Sequence, residues 1–163
     1  MDHGHYSDAY LQGILDDCRV IAMVGASARR IRPSWFVQSY MTGKGYRVIP
    51  VNPVLAGREM LGERAYAALA DIPEPVDMVD IFRNSEAAGE VVDAALALDP
   101  LPKAIWMQFS VRNDAAAARA EAKGVRVVMD RCPKVEWARL NGELGWAGFN
   151  AGVISSKKRR VPQ

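Results

Sequence analysis

Arg29, Arg30 and Arg32 crowd into one short stretch, directly after Gly25-Ala26-Ser27 and directly before Pro33-Ser34. Guanidinium groups take phosphate oxygens two at a time. Small residues ahead of a helix leave backbone N–H groups and the positive end of the helix dipole open to an anion. The chemistry this spacing suits is phosphate capture. The run before it, Val20-Ile21-Ala22-Met23-Val24, is apolar and of strand length, as a strand buried on both faces of a parallel sheet requires. A strand feeding a small-residue turn that opens a helix is the first unit of a nucleotide-binding α/β fold. On the residues alone, a solvated basic loop without a ligand is the rival reading.

Residues for catalysis are scarce. His3 and His5 fall in the first few positions, expected to be a disordered start, so no triad or metal cluster assembles around them. Cys132 stands beside Arg131, which would lower a thiol pKa, and beside Pro133, which favours a structural role. Asp80 interrupts the apolar run Met78 to Phe82; a lone carboxylate there can orient an amide or an arginine but does not define acid–base work. Trp35, Trp106 and Phe109 read as core, and Phe82 as a rim residue able to flank a purine.

The elements that must position these groups follow from periodicity and punctuation. Ser7 or Asp8 caps a short helix over 7–17 with Tyr10, Leu11, Ile14 and Leu15 on its apolar face. Ser34 is expected to cap a second helix, with Phe36, Val37, Tyr40 and Met41 inward and Gly43 and Gly45 ending it. Tyr46 to Val51 reads as the second strand, 63–69 as a short helix, and Val76 to Phe82 as the third strand. Asn84 or Ser85 opens a helix carrying Val91, Val92, Ala95 and Leu96 on one side. Lys103 to Met107 is the fourth strand, Asn113-Asp114 cap an alanine-rich helix ending at Gly124, and Val125 to Met129 is the fifth. Strands alternating with helices at this spacing predict an α/β, Rossmann-like, doubly wound and mainly parallel five-stranded sheet with helices on both faces.

The 163 residues suit one domain, 1–163, with half the residues hydrophobic and a quarter charged. No apolar run is long enough to cross a bilayer, and the first residues lack the basic and apolar regions of a signal peptide. Two cysteines far apart, Cys18 and Cys132, fit a reduced cytoplasmic protein. A net charge of +2 does not imply nucleic acid. The basic run Lys157 to Arg160 falls in a stretch, 155–163, read as a flexible, solvated tail.

In parallel sheets the ligand sits beyond the carboxyl ends of the strands. Those ends bring up Gly25-Ala26-Ser27, Asn52-Pro53, Phe82-Arg83-Asn84, Gln108-Phe109-Ser110 and Asp130-Arg131-Cys132. The first turn is a poor dinucleotide fingerprint, since Ser27 and Arg30 stand where further glycines would fall. The acidic residue that holds a nicotinamide ribose is absent as well, because the second strand ends in Asn52-Pro53. This argues against NAD and leaves NADP open, since arginines suit a ribose 2′-phosphate and a 3′-phosphate equally.

Val24-Gly25-Ala26-Ser27, Arg32-Pro33-Ser34 and Gly45 through Pro53 together resemble the small stand-alone CoA-binding proteins, whose fold is that of the CoA-binding domain of the succinyl-CoA synthetase α subunit. The similarity continues through Val76 to Arg83, Ile105 to Gln108 and Val127 to Cys132, and spans roughly Tyr10 to Ser155. It implies CoA or acyl-CoA laid across the strand ends. Phosphates would lie on Gly25, Ala26, Ser27 and Arg32, with Arg29 adding charge and the helix starting at Pro33-Ser34. Asn52, Pro53, Phe82 and Arg83 would line the nucleotide site with Gln108 nearby. One departure is Ser110, where the family has glycine; a side chain there would crowd a close-lying ligand. The synthetase's phosphate-carrying histidine belongs to a domain this chain does not match, so the resemblance implies a binding module without ligase chemistry. The rival functions are an NADP-dependent reductase using the same pocket and a CoA-sensing module for a partner enzyme; a homo-oligomer is a further possibility. An exposed, low-pKa Cys132 would form a mixed disulfide with the CoA thiol.

Overall fold

The computed structural model describes residues 1–143; the stretch 155–163, expected to be a solvated tail, lies outside them. Five strands, β1 (Val20–Val24), β2 (Arg47–Val51), β5 (Met78–Ile81), β6 (Ala104–Met107) and β7 (Arg126–Val128), form one parallel sheet in the order β2-β1-β5-β6-β7. The register sets Val24 beside both Val51 and Ile81. The chain winds outward from β1 to β2, then returns across it to β5, so the winding reverses between β1 and β5. That reversal opens a crevice at the carboxyl ends of those strands.

Helices α1 (Asp8–Asp17), α2 (Pro33–Gly43) and α5 (Pro133–Leu140) cover one face, and α3 (Ser85–Ala95) and α4 (Asp114–Ala122) the other. Alternate strand residues divide between two cores. Ile21, Met23, Met78 and Trp106 point toward the first set of helices, and Ala22, Val79, Ile81 and Ile105 toward the second. The alanine-rich α4 buries Ala116, Ala117 and Ala120, whose small side chains let it lie close to the sheet and to α3. Three helix starts carry the caps their sequences offer: Ser7 accepts from the Tyr10 N–H, Asn84 from Ala87 and Asn113 from Ala116. Asp77 ties the amino ends of the strands together, accepting from the Arg19 and Val20 N–H groups and pairing with Lys103 at 2.7 Å.

Several expectations are overturned. The stretch read as a helix over 63–69 is instead a small antiparallel hairpin, β3 (Glu59–Met60) and β4 (Glu63–Arg64), followed by a single 3₁₀ turn at Leu69–Asp71. Arg32, not Ser34, stands at the cap of α2; Pro33 opens the helix and Ser34 is buried in its first turn. Phe36 is exposed, because the buried face runs Ser34, Val37, Gln38 and Met41. Gln38 can be buried because its amide donates to the Val48 and Met60 carbonyls. Phe109 is 55% exposed rather than core, whereas Trp106 is fully buried and donates to the Arg131 carbonyl.

The amino-terminal residues are not a loose end. The Tyr10 hydroxyl both donates to the Val127 carbonyl and accepts from its N–H, and Tyr6 accepts from Met129. These hydroxyls occupy the outer edge of β7, which would otherwise present unpaired backbone groups. His3 packs behind them, its Nδ1 2.9 Å from the Tyr6 oxygen and its Nε2 3.4 Å from Glu121.

Candidate nucleotide-binding site

Gly25 ends β1 in the left-handed region, at φ 89°, and its N–H donates to the Val51 carbonyl. A Cβ added there would lie 2.4 Å from the Phe82 carbonyl oxygen, so close approach of β5 as well as conformation demands glycine. Asn52, just beyond β2, uses both ends of its amide. Its Oδ1 accepts from the Val54 N–H at 2.9 Å and its Nδ2 donates to the Ala26 carbonyl at 2.8 Å. With the Ala26 carbonyl held inward, the Ala26 and Ser27 N–H groups have no acceptor among the described residues. The turn then descends through Arg29, whose N–H donates to the Ser27 hydroxyl, into an α2 start that no side chain caps and no acidic residue neutralises. Free N–H groups, a helix start and local positive charge are the features that suit an anion.

Beside it a cleft of about 220 Å³ opens at the ends of β1 and β2. Gly25, Asn52, Pro53 and Arg83 line it, as do Ala67, Ala68 and Leu69 from the segment after the hairpin and Glu90, Val91 and Ala94 from α3. Reading the sequence missed these last two groups. The first lies in a stretch taken as a helix, and the second on a helix flank where nothing local marks one carboxylate from another. Arg29, Arg30, Arg32 and Arg83 are all exposed. Among the described residues none of the four pairs with a carboxylate. Arg30 rests 5.5 Å from the centre of the Trp35 ring.

Other rim residues are placed elsewhere. Phe82 packs against the core shared by α1, α2 and α5, on the face opposite the cleft-lining α3, so it does not line the cleft. Gln108 is 7% exposed, and its Nε2 donates to Asp80 Oδ1 at 2.8 Å. Asp80 is itself 1% exposed and its Oδ2 has no hydrogen-bond partner among the described residues, so burial lifts its carboxyl pKa to about 7. Ser110 sits at φ 64°, in the region glycine favours. It is held there by a donation from its N–H to Asp130 Oδ1 at 2.7 Å, beyond β6 and away from the cleft. Cys132 begins α5 buried, and desolvation pushes its thiol up to about 11. That removes the exposed, acidic thiol that a mixed disulfide needs. Among the described residues no helix is long and apolar enough to cross a membrane.

Known proteins are similar to this chain in sequence and in fold. The chain is 38% identical over 132 residues to the Bacillus subtilis protein YneT, covering 81% of this chain and 95% of that one. A Thermus thermophilus protein of known structure superposes with a TM-score of 0.77 at 38% identity, covering 83% of this chain and 99% of its own. A Pyrococcus horikoshii protein does so with a TM-score of 0.77 at 33% identity, covering 83% and 92%. The dinucleotide-forming acetyl-coenzyme A synthetase 1 of Ca. Korarchaeum cryptofilum shares the fold over 66% of this chain and 25% of its own, with a TM-score of 0.53 at 24% identity. A family model described as a CoA binding domain matches residues 19–138, most of the described sheet and helices, and the chain therefore belongs to the CoA-binding domain family.

Proposed function

We propose that this protein binds CoA or acyl-CoA across the carboxyl ends of β1, β2 and β5 without catalysing a reaction on it. The observation that carries the reading is the pairing of a free-amide turn at Gly25–Ser27 with four arginines that have no carboxylate partner among the described residues, beside a cleft of largely apolar lining. The Ser27 N–H group and the start of α2 at Pro33-Ser34 take the pyrophosphate, while Ala26, 1% exposed, backs the turn. Arg29, Arg32 and Arg83 meet the remaining phosphate charge, and the adenosine enters between Pro53, Leu69 and Val91. Asn52 acts on the turn rather than on the ligand. Gln108 and Ser110 are not among the residues that line the cleft. The two free, buried thiols, Cys18 and Cys132, suit work in the cytoplasm, by a chain acting as one binding unit. The test is calorimetric titration with CoA, with NADPH and ATP as controls. The expected result is heat from CoA alone, reduced at least tenfold in affinity in Arg32→Ala and in Arg83→Ala. Absence of both heat and thermal shift with CoA would overturn the reading, and preference for NADPH would replace it with a reductase.

A further inference from the structure

Two charged side chains of opposite sign line the cleft, Arg83 at the end of β5 and Glu90 on the flank of α3. Both are exposed, and among the described residues neither has an ion-pair partner, so both charges are available to a ligand. The same cleft has apolar lining residues as well, Leu69, Val91 and Ala94 among them, against which a base can pack. Arg83 lies against Gly25, since a Cβ on that glycine would come within 3.1 Å of the Arg83 Cδ, so the positive end of the cleft adjoins the anion-binding turn. Phosphate is drawn to Arg83 and repelled from Glu90. An ionised carboxylate only accepts hydrogen bonds, so what settles beside Glu90 must present a donor.

We infer that Glu90 reads the base of the bound nucleotide, accepting a hydrogen bond from the exocyclic amino group of adenine. The inference rests on nucleotide binding in this cleft, as proposed above, and goes beyond it by assigning base selectivity to one residue. Adenine presents an N–H₂ donor at its six position, whereas hypoxanthine presents a carbonyl of the same size there, which a carboxylate repels. A hydrogen bond to a charged group in a partly desolvated slot contributes enough to separate the two bases by about tenfold in affinity.

The test compares dissociation constants for CoA and for deamino-CoA, its hypoxanthine analogue, in the parent protein, Glu90→Ala and Glu90→Gln. The parent is expected to prefer CoA about tenfold, and Glu90→Ala to bind the two alike. Glu90→Gln, whose amide can donate to the hypoxanthine carbonyl, is expected to bind deamino-CoA at least as well as CoA, an inversion that a merely structural role would not produce. Equal binding of both nucleotides by the parent would overturn the inference. So would an unchanged preference in Glu90→Ala, or tighter CoA binding by that variant. A parent protein that binds neither nucleotide would instead overturn the site itself.

Discussion

Replacing Asp80 with asparagine separates proton binding from packing in the middle of the sheet. Asp80 is flanked by Met23 on β1 and Trp106 on β6, both fully buried, and among the described residues its carboxyl accepts one hydrogen bond, from the Gln108 amide. Asparagine keeps the shape and the oxygen that Gln108 contacts, and removes only the ionisation. With the folded pKa near 7 against 3.8 for the free side chain, the native protein holds a proton through a window in which the unfolded chain has lost it. The carboxyl's contribution is therefore fully present below pH 3.8 and is lost as pH rises toward 7. Three pKa units at 1.36 kcal/mol each amount to about 4 kcal/mol, a large part of the 5–15 kcal/mol by which domains are typically stable. Urea unfolding of parent and Asp80→Asn at pH 4, 7 and 8.5 reads this directly, since every other titrating group is common to both. Relative to the parent, the asparagine variant should gain about 4 kcal/mol between pH 4 and pH 8.5, most of it by pH 7. Stability curves that stay parallel across that range would refute a neutral, buried carboxylic acid.

Other expectations are simpler to state. Asn52→Asp preserves the acceptor for the Val54 N–H but sets a carboxylate against the Ala26 carbonyl, so the turn loses its anchor; calorimetry should show CoA affinity lowered at least tenfold, with unchanged affinity refuting the positioning role. Ser110→Gly relieves a left-handed φ of 64° at an exposed position, and should stabilise the fold by about 1 kcal/mol, read as a rise in melting temperature; a fall would mean that the serine side chain has a role of its own. Cys132, buried with its thiol raised to about 11, should resist glutathione disulfide and iodoacetamide in the native state and react only after unfolding, as intact-mass measurement will show.

Local signals were enough for a good deal of this molecule. Continuous apolar runs at Val20–Val24 and Ala104–Met107, too short for helices and alternating with helical stretches, suit strands covered on both faces and so a parallel sheet between two helical layers. The caps at Ser7, Asn84 and Asn113 act within three residues of themselves, and so are visible without a fold. Gly25 and the arginines after it also announce their chemistry locally, because a turn and the charge that follows it are contiguous in the chain.

What escaped the sequence depends on partners far away in it. Gln38 is on the buried face of α2, with Phe36 at the surface, because carbonyls from Val48 and from the hairpin at Met60 accept from its Nε2, its Oε1 having no hydrogen-bond partner among the described residues. Gln108 turns inward, away from any ligand at the rim, because Asp80 on the neighbouring strand accepts from it. The helix Pro133–Leu140 shows only weak local signals, and its anchors, Trp137 and Leu140, find their burial against residues from α1, α2 and β1. The cleft follows the same logic. Gly25 lies against Phe82 and Arg83, and the segment after the hairpin comes up opposite α3, only when β1, β2 and β5 stand side by side. The sequence determined which residues could meet a phosphate; the order of the strands decided which carboxylate would line the same cleft, because adjacency in a sheet is set by the path of the chain and by no property of Glu90 itself.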